Sequence, residues 1–138
     1  MYSSKFKKDH SFGTKQEQLN YEKIKACLKD ETLTFTKNFN RADFIGDKVV
    51  VEMKSRRCNY NTYATTMIPE SKIIHCNSFE CKKGYLVFLF LDGLYYTPTE
   101  DLEYTVARGG RYDRGRVEIR NDYAYINIKH LQRVSDLV

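Results

Sequence analysis

No apolar run in the chain is long enough to span a bilayer, and the lysine-bearing start "MYSSKFKKDHSFG" is not followed by one. Neither a membrane span nor a signal peptide is therefore expected. The four cysteines, Cys27, Cys58, Cys76 and Cys81, contain no C-x-x-C pair. Only Cys76 and Cys81 stand close, and adding His75 still leaves a zinc site without a fourth ligand nearby, so they read as reduced thiols. The expected setting is soluble and intracellular, in a reducing compartment. Tryptophan is absent, which leaves eight Phe and eleven Tyr to supply the large core pieces and any flat faces for base stacking. Internal repeats and low-complexity segments are missing too.

What remains is an ordinary globular composition, 41% hydrophobic and 30% charged. A chain of 138 residues suffices for one domain with a single core and is too short for two. The formal net charge of +5 is mildly basic and favours a polyanionic partner.

"GTKQEQLNYEKIKACLKDE" (13 to 31) carries Leu19, Tyr21, Ile24, Cys27 and Leu28 at helical spacing, with Thr14 as a cap. "TLTFTKNF" (32 to 39) alternates as a half-buried strand does. "ADFIGDKVVVEMK" reads as two strands about a tight turn. After the polar "SRRCNYNTYATT", Pro69 suits the first turn of a second helix running to about Lys83, with Ile73, Ile74 and Phe79 inward. "GYLVFLFLDGLYYTPT" is a central strand over 85 to 91, a turn at Asp92-Gly93 and a second strand from Leu94. A short strand, the loop "RGGRYDRGR" (108 to 116), strands near 117 to 120 and 123 to 128, and a helical turn at "KHLQRV" complete it. The order predicts an α/β (α+β) layer arrangement with a mixed sheet.

One strand is odd. Val49, Val50 and Val51 suit a buried strand, yet Glu52 and Lys54 follow, pointing the same way. A two-residue hairpin loop at Gly46-Asp47 pairs residue 43 with 50, and one at Asp47-Lys48 pairs it with 52. Either register puts Asp43 on the face of Glu52 and Lys54, because an even shift preserves side-chain parity, whereas an odd loop without a bulge would send Asp43 to the other face. Two carboxylates so placed can share a divalent cation. Glu17 lies four, seven and eleven positions before Tyr21, Ile24 and Leu28, so it extends the helix's sheet-facing stripe, although an acid in a first turn also suits the helix dipole. Three acids and a lysine suit metal-assisted hydrolysis of a phosphodiester. Mg2+ (or Mn2+) takes oxygen ligands and is usually held by one or two carboxylates plus phosphate oxygens, and a lysine beside it can orient the attacking water or hold the phosphate.

"Gly13-x-x-x-Glu17", "Asp43" and "Glu52-x-Lys54", in the order helix, strand, strand, helix, strand, resemble the PD-(D/E)XK nuclease superfamily, which includes restriction endonucleases, Holliday junction resolvases and phage-type exonucleases. The resemblance covers roughly 13 to 92. It implies a restriction-endonuclease-like αβββαβ core, with a β-rich C-terminal extension over about 93 to 138 of the same domain. It also implies a metal-dependent deoxyribonuclease in which Asp43 and Glu52 hold the metal, Lys54 serves the water and Glu17 completes the site. Ala42 stands where the family carries a proline. The family often adds a polar residue from the second helix, and Ser71 and Lys72 stand at its start, with Lys72 the stronger candidate. Many resolvase-like relatives dimerise, so a homodimer is consistent with the resemblance.

Arg56 and Arg57 with Tyr60 and Tyr63 make a loop suited to a nucleic-acid backbone, which the resemblance implies is DNA. Arg108, Arg111, Arg114 and Arg116, interleaved with glycines, make another. An inert ion pair at a strand end would explain Glu52 and Lys54 but not Asp43 and Glu17. The competing readings are a nucleic-acid-binding module without catalysis, using these basic loops, and a structural or interaction protein.

Overall fold

The computed structural model describes residues 18–36, 42–110 and 120–134. Helix α1, residues 18–28, leads to nine strands, β1 (Thr34–Phe35), β2 (Phe44–Ile45), β3 (Val49–Ser55), β4 (Thr65–Pro69), β5 (Lys83–Phe90), β6 (Gly93–Pro98), β7 (Thr105–Gly110), β8 (Arg120–Asn127) and β9 (Gln132–Arg133). Helix α2 (Glu70–Asn77) lies between β4 and β5, and a 3-10 turn (Ile128–His130) precedes β9. Six strands form a mixed central sheet in the order β1-β2-β3-β5-β6-β9, and β4-β8-β7 form a second, antiparallel sheet. Within the central sheet only β3 and β5 run parallel. A parallel pair needs a crossover, and the crossover here contains β4 and α2.

Each face of the central sheet has its own cover. Helix α1 lays Tyr21, Ile24, Cys27 and Leu28 over Val49, Val51 and Val87. The opposite face carries Leu86, Phe88 and Phe90, which pack with Ile73 of α2 and with Ile68, Ala124 and Ile126 of the second sheet. That two-sided cover explains why β5 reads as a nearly continuous apolar run. A buried carboxylate joins α1 to the β2–β3 hairpin. Lys29 takes a left-handed φ of 57° at the helix end, and Asp30, 2% exposed, turns back into the fold. Its carboxylate accepts from the Thr32 amide and hydroxyl and from the Lys48 and Val49 amides.

Several sequence expectations need correction. The first strand is two exposed residues, Thr34 and Phe35, not a half-buried alternation; Leu33 beside it is fully buried. Helix α2 stops at Asn77 instead of Lys83, and its Ile74 is exposed. Leu19 likewise points to solvent. The polar stretch 55 to 66 is expected to be irregular, but its end joins a strand, Thr65–Pro69, paired with β8 some sixty residues later. Arg108 belongs to β7, not to a loop, and the closing segment is a 3-10 turn followed by β9, with no α-helical turn. Glu17, Arg111, Arg114 and Arg116 lie outside the described residues.

Close approach, not turn geometry, demands one glycine. A Cβ on Gly84 would stand 2.4 Å from Thr99 Oγ1 and 2.8 Å from Cys76 Cβ, where α2 meets the start of β5. Gly84→Ala is expected to destabilise the fold by about 1–3 kcal/mol through overpacking. A lowered urea midpoint with unchanged slope would show it; an unchanged midpoint would mean the backbone yields there at no cost.

Candidate active site

Strand β3 runs from a buried valine cluster into a polar end, and its even-numbered residues face α2. Val50 packs under Cys76, Glu52 follows at 5% exposure, and Lys54 emerges into solvent. The hairpin pairs Ile45 with Val50 and Phe44 with Val51, and Gly46 N–H donates to Val49 O across the turn. This is the Asp47-Lys48 loop, so the residue opposite Glu52 is Asp43. Strand β2 begins only at Phe44, and the Asp43 carboxylate supplies the next acceptor: Met53 N–H donates to Oδ2 at 2.8 Å. The hydrogen bond fixes the Asp43 carboxylate beside that of Glu52.

Two carboxyls so close cannot both ionise freely. Burial first, and then the charge of Asp43, push the Glu52 carboxyl up to about 7, while the Lys72 ammonium acts in the opposite direction. Lys72 reaches down from the first turn of α2 to 3.7 Å from Glu52 Oε1. One turn further on, burial and the same two carboxylates push the Cys76 thiol up to about 12. Cys76 therefore stays a protonated thiol and neither a nucleophile nor a ready metal ligand. Its place beside Glu52 was missed in the sequence, although Lys72 and Cys76 stand four apart on one helical face.

The family model described as "Phage putative PDDEXK endonuclease" matches residues 17–134. The chain belongs to this family. No curated protein and no solved structure matches the chain.

For a member of a PD-(D/E)XK family, the arrangement is economical. The acid before the hairpin, the acid of the E-x-K tripeptide and a lysine from α2 meet on one sheet face. Lys54 shares that face by strand parity, one pleat beyond Glu52, with its side chain in water. Ser71 is exposed beside Lys72. The stripe of α1 packs on the other sheet face, that of Val49 and Val51. Among the described residues, no three His, Cys, Asp or Glu side chains gather as a metal-holding group. The donor set is two carboxylates, and one of them is a buried acid beside a second acid. That is a pairing a divalent cation would relieve, so these residues fit such a cation.

The expected nucleic-acid contacts divide. Arg56 turns into the fold: its Nε donates to Thr66 Oγ1 at 3.2 Å, a terminal nitrogen donates to Met67 O, and the guanidinium lies over the Phe88 ring. Tyr60 stacks on Tyr95 with centroids 4.1 Å apart and donates its hydroxyl to Ile128 O. Arg57 and Tyr63 stay exposed. Arg108 is exposed and 3.9 Å from Asp122, a surface pair of little energetic weight. No helix among the described residues is long and apolar enough to cross a membrane.

Proposed function

We propose that this endonuclease-family chain is a metal-dependent deoxyribonuclease with its centre at Asp43, Glu52 and Lys54. The observation that carries the reading is the Glu52 carboxyl, 5% exposed, in register opposite Asp43, whose own carboxylate the Met53 amide holds beside it. A folded protein keeps such a pair at a cost in stability, and functional sites are where that cost is found. Mg2+ or Mn2+ bound there would acidify a coordinated water and offset charge on the phosphoryl oxygens. Asp43 and Glu52 would hold the cation, with no ligand drawn from the stripe of α1, which packs on the opposite sheet face. Lys54 orients the attacking water and takes part in its deprotonation. Lys72, beside Glu52 in the metal-free chain, would hold a phosphate oxygen of the substrate, with Ser71 alongside. Arg56 shapes the strand end, while Arg57, Arg108, Arg111 and Arg114 add backbone affinity.

Purified protein incubated with circular, linear, single-stranded and branched DNA should cut at least one in Mg2+ or Mn2+ and none in a chelator. Lys54→Ala should lose cleavage by on the order of 10²–10⁴-fold, the range for general acid–base groups. Its exposed side chain can go without loss of fold, and DNA binding should persist. Binding without cutting under every divalent ion would favour the binding-module reading instead.

A further inference from the structure

The face that carries Glu52 and Lys54 does not end at the tip of β3. The ladder continues for one more residue, Arg56 N–H donating to Leu89 O at 2.8 Å, and the Arg56 side chain lies over Phe88, a residue of that same face. Where the central sheet meets β4 and β8, a cleft of about 400 Å³ opens, with Arg56 in its wall. Four residues of extended strand separate Glu52 from that wall, about 13 Å at the usual rise. The cleft and the acid pair thus lie along one line, with Lys54 between them.

The lining has a consistent chemistry. Tyr60 and Phe90 contribute apolar ring surface, and both are fixed by packing against each other at a centroid distance of 6.0 Å. Tyr63 stands at the rim, 65% exposed, an aromatic face turned to water. Asn59, Thr65 and Tyr125 add an amide and two hydroxyls that can match donors and acceptors on a flat polar ring. Among the described residues no acid lines the cleft, and Arg56 brings positive charge to its wall. The volume lies at the lower end of the range for small-ligand sites.

We infer that this cleft takes an unpaired nucleobase of the substrate strand, stacked on Tyr63, while the phosphodiester a short distance along the same strand reaches Asp43 and Glu52. The inference deepens the nuclease reading and rests on it: the substrate would be single-stranded or locally unpaired DNA. A base inside a duplex offers no free face to a rim tyrosine, whereas base–aromatic stacking is the usual sequence-tolerant grip on single strands. The Asn59 amide and the Tyr125 hydroxyl would add contacts to the base edge.

The test is equilibrium binding in a chelator of two probes, a single-stranded oligonucleotide carrying one 2-aminopurine and the same strand annealed to its full complement. Wild type should prefer the single strand, with the fluorescence change of a restacked base. Tyr63→Ala should weaken single-strand binding about ten-fold and leave duplex binding unchanged, and Tyr63→Phe should restore it. Melting of both variants should match wild type, because Tyr63 is a surface residue. Equal loss on both probes, no loss on either, or no single-strand binding by wild type would overturn the cleft proposal. Cleavage by the same preparations in Mg2+ reports separately on the nuclease reading. A protein that cuts DNA while Tyr63→Ala binds normally loses the cleft alone; one that grips single strands through Tyr63 and cuts nothing loses the nuclease alone.

Discussion

Glu52→Gln is expected to abolish metal-dependent cleavage and, in the metal-free protein at about pH 8, to melt at a higher temperature than wild type. The first effect follows from removing one of two carboxylates able to hold the cation. Charge stabilisation of several kcal/mol at the phosphoryl group corresponds to a loss on the order of 10²–10⁴-fold. The second follows from burial. In the folded chain the Glu52 proton is retained up to about 7, whereas an unfolded glutamate releases it near about 4.3. The folded state therefore binds the extra proton between those values. This group's contribution is fully present below about pH 4.3 and is lost as pH rises through about 7. Glutamine keeps the shape and removes the titration. Lys72 loses its partner, but its side chain is 45% exposed and can return to water. Saturating Mn2+ should stabilise wild type and not the variant, closing the gap. A variant less stable than wild type at that pH would mean that the Glu52–Lys72 pair contributes more than burial costs.

The largest stability loss should come from Asp30→Ala, about 3 kcal/mol or more, because four donors lose their acceptor in a buried site. Burial alone would raise the Asp30 carboxyl, but the Thr32 hydroxyl and the Lys48, Thr32 and Val49 amides together hold it below the usual carboxylate range. Its contribution is thus present above about pH 3.9 and is lost as pH falls through the folded value. Asp30 and Glu52 act in opposite directions, so the metal-free protein should be most stable in weakly acidic solution. Asp30 also grips both residues of the β2–β3 transition, Lys48 and Val49, and so helps set the register that brings Asp43 opposite Glu52. Asp30→Ala should therefore reduce cleavage beyond its loss of folded protein. Urea melts at neutral and acidic pH, with activity normalised to folded protein, would measure both. Wild-type stability in the variant would show that the hairpin holds its register unaided.

The pairing of acids was legible because it depends on parity alone. Whether the loop was Gly46-Asp47 or Asp47-Lys48, Asp43 stayed on the Glu52 face, and the structure selects the second register. Helix α1 was equally plain, since Tyr21, Ile24, Cys27 and Leu28 all pack inward. Periodicity could not say which sheet face receives that helix, and it is the one opposite Glu52. Strand β4 was illegible for another reason: Thr65 and Thr66 look like loop until β8 supplies their partner far along the chain. Arg56 and Tyr60, in a polar stretch suited to a nucleic-acid backbone, are instead drawn inward by Phe88, Met67 and Tyr95. In each case a tertiary contact overrode a local pattern.

The central claim is that Asp43 and Glu52 together hold the cation. Counting free Mn2+ by electron paramagnetic resonance during titration of wild type, Asp43→Asn and Glu52→Gln tests it most directly. Wild type should bind the ion, and affinity should fall steeply in either variant; Mn2+ binding unchanged in both would mean that the cation is held elsewhere.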